Sequence, residues 1–222
     1  MNIFLTDIAL LWRDFIAFVQ IPRHWNQHQW VRFLMVMMLV PAALIIDFPV
    51  HSFLTTNAHG ALQDALFGFG RWYGVGWATL AIALGAYGIG SALRNVQIRQ
   101  VGLLTVESFL FSGIITTLLK AVLGRHRPYT GDDVLTFSLF TTSTGAFLSL
   151  PSGHATVVFA LSATLAEIMP YPLWKFFWYL LAIIGGVSRI YHNQHWLSDV
   201  VLAGTIGISV SIWLVRRHAA IT

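Results

Sequence analysis

Hydrophobic positions along this chain gather into long runs rather than the narrow stripes of a helix lying on a soluble core. A membrane span takes roughly 20 mostly apolar residues, and five stretches meet that length: about 32–50, 72–92, 101–122, 172–188 and 197–215. A sixth run, about 154–169, is shorter and is read as a span because its neighbours require a crossing. Residues 1–20 behave differently, with apolar positions interrupted by Asp7, Arg13 and Asp14 and accompanied by Trp12 and Phe15. That pattern predicts an amphipathic helix in the membrane interface. It also lacks the basic start and small-residue cleavage site of a signal peptide. His24, Trp25, Asn26, Gln27 and Gln29 then make a wet, aromatic approach to the first span. The expected fold is all-α: an integral membrane bundle of six transmembrane helices with an interfacial amphipathic helix over residues 1–30. One domain is expected over 1–222, since no repeat or low-complexity linker divides the chain.

Composition strengthens this picture. Of 222 residues, 56% are hydrophobic and only 10% charged, with a mean hydropathy of +0.69, whereas a soluble domain is about a quarter charged. The 13 Lys+Arg and 9 Asp+Glu are too few to wet a globule, so most of the surface must face lipid. Cysteine is absent, which excludes disulfides and thiolate metal sites. The net charge of +4 is small, and no basic stripe of the kind that binds nucleic acid is present. Acidic phospholipid headgroups are the natural partners of such a balance. With both termini inside, Arg13, Arg23, Arg32, Arg94, Arg99, Lys175, Arg216 and Arg217 are cytoplasmic, while Arg71, Lys120, Arg125, Arg127 and Arg189 are outside. The positive-inside bias favours that arrangement.

Three segments do not fit a plain bundle. In Lys120-Ala121-Val122-Leu123-Gly124-Arg125-His126-Arg127-Pro128, a continuing helix would put Lys120 and Arg127 two turns apart on one face, until Gly124 and Pro128 end it. Pro151-Ser152-Gly153-His154 opens the fourth span; Ser152 is a good N-cap, and the backbone N–H groups of a helix start attract anions. Ser188-Arg189 is followed by His195 and Asp199, whose four-residue spacing lets the carboxylate reach the imidazole. Counting spans puts all three segments on one side of the membrane. A site built from them would hold three cations, a helix N-terminus, two histidines and a carboxylate. Phosphate chemistry needs such parts: charge to neutralise the oxygens, a nucleophile and a proton donor.

Lys-x6-Arg-Pro, then Pro-Ser-Gly-His, then Ser-Arg-x5-His-x3-Asp is similar to the three-part signature of the type 2 phosphatidic acid phosphatase superfamily, complete and in order over residues 120–199. The preceding spans resemble its six-helix membrane branch. The resemblance implies that Lys120, Arg127, Ser152, Gly153 and Arg189 bind the substrate phosphate. It implies that His195 is the nucleophile, forming a phosphohistidine oriented by Asp199, and that His154 protonates the leaving oxygen. No metal ion and no cofactor are implied. The expected activity is hydrolysis of a lipid phosphate or pyrophosphate at the outer face of a membrane, such as a bacterial inner membrane with the site toward the periplasm. Polyprenyl pyrophosphate, phosphatidylglycerol phosphate, phosphatidic acid and lipid A phosphate remain open as substrates.

Plainer readings stand beside this one. Singly, Lys120 and Arg127 would be snorkelling cations, His154 and His195 structural histidines, and Ser152-Gly153 a helix start; the joint pattern favours a phosphate site. Arg125, His126 and His192 sit at variable motif positions and are read as structural or as rim contacts. Glu107 in the third span, about four turns from Lys120, is read as structural despite the functional weight of an intramembrane carboxylate. Trp72, Trp77, Trp174, Trp178, Trp196 and Trp213 are read as belt or packing residues. The loop 129–150, with Asp132, Asp133 and the Thr/Ser-rich run 141–144, is placed beside the entrance without a role. The rival functions are a phosphotransferase using the same phosphohistidine, a vanadate-dependent oxidant enzyme, which the spans disfavour, and a transporter or scaffold, against which His195 stands.

Overall fold

Nine α-helices carry the apolar runs in the computed structural model, which describes residues 3–57, 59–141 and 145–220. They are α1 (Ile3–Gln20), α2 (Gln27–Met37), α3 (Leu39–Thr56), α4 (Ala61–Tyr73), α5 (Gly76–Ala92), α6 (Val96–Leu123), α7 (Gly153–Ile168), α8 (Pro172–Tyr191) and α9 (Leu197–Ala219). No strand forms among the described residues; a single β-bridge pairs Arg125 with Phe137. Among the described residues, four helical stretches are long and apolar enough to cross a membrane: Gln27–Thr56, α6, α8 and α9. The α4–α5 pair, bent by 55°, makes a fifth if counted as one span, and α7 is apolar but short.

Two expectations about the spans need correction. The run 72–92 is not one straight helix: it breaks at Gly74 and Val75, and the chain before it is already helical from Ala61. The reason is steric. A Cβ on Gly74 would lie 2.4 Å from the His154 ring and from Val158, so the chain comes closer to α7 than any other residue type allows. The first span is longer than expected, running from Gln27 to Thr56 with an interruption at Met38. Asn26 and Gln29 close a capping box at its start.

The shortness of α7 has a structural meaning. It packs against α6, α8 and α9, and its Ala155, Val158, Ala160, Ala163 and Ala166 are fully or almost fully buried. Small residues let the backbones close in, as membrane helices require: a Cβ on Gly207 of α9 would stand 2.8 Å from the Thr156 carbonyl oxygen. Hydroxyls then bond across the gap, with Thr116–Thr156 at 3.0 Å, Thr164 to Ser108 at 3.0 Å and Tyr73–Ser162 at 2.8 Å. A helix with protein on most sides can carry Thr and Ser where a lipid-facing helix would carry Leu, which weakens its hydropathy signal.

Helix α1 has the amphipathic pattern the sequence suggests, but its polar face turns inward. Asp7 is buried against Arg99 (2.9 Å) and the Tyr87 hydroxyl (2.9 Å). Asp14 is buried against Arg217 and His218, the latter at 2.7 Å. Phe4, Leu5, Ile8, Trp12 and Val19 point outward, while Phe18 packs on Phe111 with ring centroids 5.3 Å apart. Glu107 belongs to the same cluster, its Oε2 lying 3.1 Å from His218 Nε2. His218 Nε2 thus stands between two carboxylates, 2.7 Å from Asp14 and 3.1 Å from Glu107.

Candidate active site

Helix α6 ends because Gly124 adopts the left-handed conformation, φ +57°, and its N–H returns to the Lys120 carbonyl at 3.0 Å. A Cβ there would fall 1.8 Å from the Ser138 carbonyl oxygen, so glycine is required twice over. The chain folds back through Ser138 N–H to Gly124 O (2.8 Å) and His126 N–H to Thr136 O (3.0 Å). This hairpin keeps Lys120 in the last helical turn, where its ammonium donates to the Leu148 carbonyl. Arg127 follows the turn, donating from Nη1 to Gln194 Oε1 at 3.0 Å.

The second motif begins α7. Ser152 caps the helix, its Oγ accepting from Ala155 N–H at 3.3 Å, while its own N–H donates to the Asp199 carbonyl at 3.1 Å. A Cβ on Gly153 would lie 3.6 Å from Lys120 Cε. The first motif thus touches the second, and the second touches the third. In the third, Arg189 stands in the last turn of α8 and its carbonyl accepts from Gln194 (3.0 Å) and His195 (3.3 Å). Asn193, at φ +56°, completes the reversal. His195 is 3% exposed. Its Nδ1 lies 3.4 Å from Asp199 Oδ2 and 3.4 Å from Ser149 Oγ, leaving Nε2 as the outward nitrogen.

The expected His195–Asp199 pair is therefore in place but long for a hydrogen bond. Asp199 is satisfied mainly by others: Ser149 Oγ at 2.5 Å, Trp196 N–H at 2.9 Å and Arg125 Nη1 at 2.7 Å. Burial holds the His195 imidazole down to about 3, against the opposing pull of Asp199, and the charges of Lys120 and Arg127 add to the lowering. The ring is neutral at ordinary pH, with a lone pair available.

Three buried nitrogens at this end of the bundle have no hydrogen-bond partner among the described residues: Arg127 Nε, Arg189 Nε and His154 Nε2. Orphaned buried donors are costly, and Lys120, Arg127 and Arg189 also repel one another. The His154 ring is turned by the backbone of Gly70 and Arg71 at the end of α4. A multiply charged anion with several acceptor oxygens meets all of these demands. The residues at this end are mainly cations and histidines, and the Asp199 and Asp47 carboxylates are both engaged by Arg125 and by hydroxyl donors. The only described His/Asp/Glu trio able to hold a metal is Asp14, Glu107 and His218, in the α1 cluster.

Of the structural and rim readings of Arg125, the structure takes the structural one. The residue is completely buried, and it donates to Asp199, to Ser198 Oγ at 2.6 Å, to Asp47 Oδ2 at 2.8 Å and to the Val134 carbonyl at 2.8 Å. Its guanidinium lies between the Phe137 and Trp196 rings, 5.7 and 5.5 Å from their centroids. Of the belt and packing readings of Trp196, packing holds, the side chain being 3% exposed. Asp47, Ser149 and Ser198 escaped the sequence reading. Asp47 carried a signal, a lone carboxylate in an otherwise apolar span, which demands a buried partner; the two serines carried none.

His126 binds Asp132 (2.7 Å) and Ser138 (2.9 Å) and stacks on Phe147, so it staples the loop. That bond to His126 holds the Asp132 carboxyl below its usual range. His192 folds back on the Ser188 carbonyl at 2.6 Å. Residues 142–144, most of the Thr/Ser-rich run, lie outside the described residues.

The profile of the PAP2 superfamily matches residues 102–222. Among curated relatives, a lipid A 1-phosphatase of Rhizobium etli is 34% identical over 119 residues, covering 53% of this chain and 50% of the relative. An undecaprenyl-diphosphatase of Sulfolobus acidocaldarius is 30% identical over 122 residues, covering 53% and 55%. The chain spans about half the length of these relatives. The crystal structure of a PAP2-type phosphatidylglycerolphosphate phosphatase from Bacillus subtilis shares the fold with a TM-score of 0.65 at 18% identity, over 86% of this chain and 95% of that one. That of Aquifex aeolicus LpxE does so with 0.57 at 20%, over 77% and 95%.

Truncating Arg125 removes the cation shared by two buried carboxylates, and breaking such pairs costs about 3–5 kcal/mol. Arg125→Ala should therefore lower the thermal unfolding midpoint in detergent sharply. An unchanged midpoint would contradict the structural role assigned to this guanidinium.

Proposed function

The chain belongs to the PAP2 superfamily, and from that premise we propose that it hydrolyses a lipid phosphate or lipid pyrophosphate through a phosphohistidine on His195. The observation that carries this reading is the neutral, buried imidazole of His195 at the same end of the bundle as three cations and the unpartnered His154 nitrogen. Lys120, Arg127, Arg189 and the α7 N-terminus with Ser152 and Gly153 bind the phosphoryl oxygens. Nε2 of His195 attacks phosphorus as the bond to the lipid oxygen breaks. His154 gives its Nε2 proton to that oxygen. In the second step water attacks the phosphohistidine, His154 accepts its proton, and inorganic phosphate leaves. As Nε2 becomes phosphorylated the ring gains positive charge, and Asp199 supports the Nδ1 proton. All of this is done by side chains of the chain itself, so activity should survive chelation of divalent metals.

The lipid A 1-phosphatase and undecaprenyl-diphosphatase relatives make lipid-linked phosphates and diphosphates the leading substrates. The site opens toward the exterior, because the opposite side carries the larger set of Lys and Arg, including Arg216 and Arg217.

If His154 is the proton donor, its loss should matter in proportion to the leaving group's need for a proton. His154→Ala should depress kcat/KM for a lipid alkyl phosphate at least about tenfold more than for an activated aryl phosphate. Equal losses would reduce His154 to a binding residue. Orientation is tested by single cysteines in this cysteine-free chain, one at the exposed Leu135 and one at the exposed Arg216. An impermeant thiol reagent on intact cells should label Leu135→Cys and spare Arg216→Cys; the reverse result would turn the site to the cytoplasm.

A further inference from the structure

Helix α4 lies outside all three motifs, yet one of its residues is held at the candidate site from three directions. Phe67 packs at a tilt on Tyr191, two residues beyond Arg189, with ring centroids 4.7 Å apart. Gly70 presses on α8, where a Cβ would meet the Ile184 carbonyl oxygen at 2.8 Å and Ser188 Cβ at 3.1 Å. Gly74 lies against α7, where a Cβ would stand 2.4 Å from the His154 ring. Arg71 sits between these contacts. It follows Phe67 by four positions and so shares its face of the helix, and it precedes Gly74 by three, on the side adjoining His154. Its backbone is therefore within a turn of both Arg189 and His154.

The Arg71 side chain is exposed, and its guanidinium makes no hydrogen bond or ion pair among the described residues. The acidic residue of its own helix does not neutralise it: Asp64 is taken by the Tyr191 hydroxyl and faces His59 at 3.9 Å. Arg71 instead acts electrostatically on Arg189 and on His154. Its charge adds to that of Arg127 against Arg189, and an anion that extends beyond one phosphoryl group would meet both. Its place beside His154 says which part of the substrate that anion belongs to, because His154 stands where the leaving oxygen departs.

We propose that Arg71 binds the leaving half of the substrate, and that this half is itself a phosphate, so that the site selects lipid diphosphates over lipid monophosphates. The inference rests on the reading of His195 as nucleophile and His154 as proton donor. In the step it describes, His195 Nε2 bonds to the terminal phosphorus and the bond from that phosphorus to the bridging oxygen breaks. The electron pair goes to the bridging oxygen, which takes the His154 proton, and the lipid monophosphate departs. Arg71 neutralises the charge on that departing phosphate. A lipid monophosphate leaves as a neutral alcohol and gives Arg71 nothing to hold.

The test compares full-length wild type, Arg71→Gln and Arg71→Lys on diacylglycerol diphosphate and phosphatidic acid with the same acyl chains, in the same detergent. A guanidinium paired with phosphate supports a loss of roughly 10- to 100-fold in the diphosphate-to-monophosphate ratio of kcat/KM for Arg71→Gln. Arg71→Lys should recover part of it, because the charge remains while the bidentate fork is lost. An unchanged ratio in both variants, with an active wild type, would overturn this inference alone. A wild type that hydrolyses neither lipid would overturn the lipid-phosphatase reading and this inference with it.

Discussion

One buried guanidinium holds the candidate-site end of this bundle together. Arg125 leaves the end of α6 and reaches Asp47 on α3, Asp199 and Ser198 on α9, and the Val134 carbonyl of its own loop. Asp47 in turn accepts from the Ser198 N–H at 2.7 Å and its hydroxyl at 2.5 Å. Two carboxylates and one cation without solvent would be expensive if any bond were missing, so the helix ends they join have little freedom to separate. The cluster is a structural device with a chemical consequence. Arg125, Ser149 and the Trp196 amide share Asp199 with His195, and burial outweighs the pull of that carboxylate, so the ring stays neutral. A phosphorylated His195 would carry the charge that Asp199 is placed to balance.

The same economy governs α4 and α7. The 55° break between α4 and α5 falls at Gly74, where the chain passes so close to His154 that a Cβ would not fit. The hydroxyls of α7 bind its neighbours and position the helix whose first turn supplies Ser152, Gly153 and His154. Packing and site geometry are thus set by the same contacts.

Much of this was legible in the sequence because its signals are local. Apolar runs mark helices through length alone, and the spacings within Lys120–Arg127, Ser152–His154 and His195–Asp199 are short-range facts, which a helix end and the turn or cap beside it convert into proximity. What was hidden depends on contacts between distant segments. Arg125 reads as a variable motif position until Asp47, 78 residues away, is brought against it. Ser149 has no distinguishing neighbour in sequence, yet it bonds Asp199 across 50 positions. The break at Gly74 follows from the nearness of His154, which no window around Gly74 contains. Residues 1–20 showed their amphipathic pattern, but the direction of the polar face was fixed by Arg99, Arg217 and His218, all far along the chain.

The central claim is that phosphate passes through a covalent bond to His195. Rapid quenching of the protein during turnover of a radiolabelled lipid phosphate, under alkaline conditions that preserve phosphohistidine, followed by peptide mapping, tests it directly. The account predicts label that is stable to base, labile to acid and confined to the peptide containing His195, and absent from His195→Ala. Turnover by the wild type with no labelled protein, or label on a different residue, would contradict it.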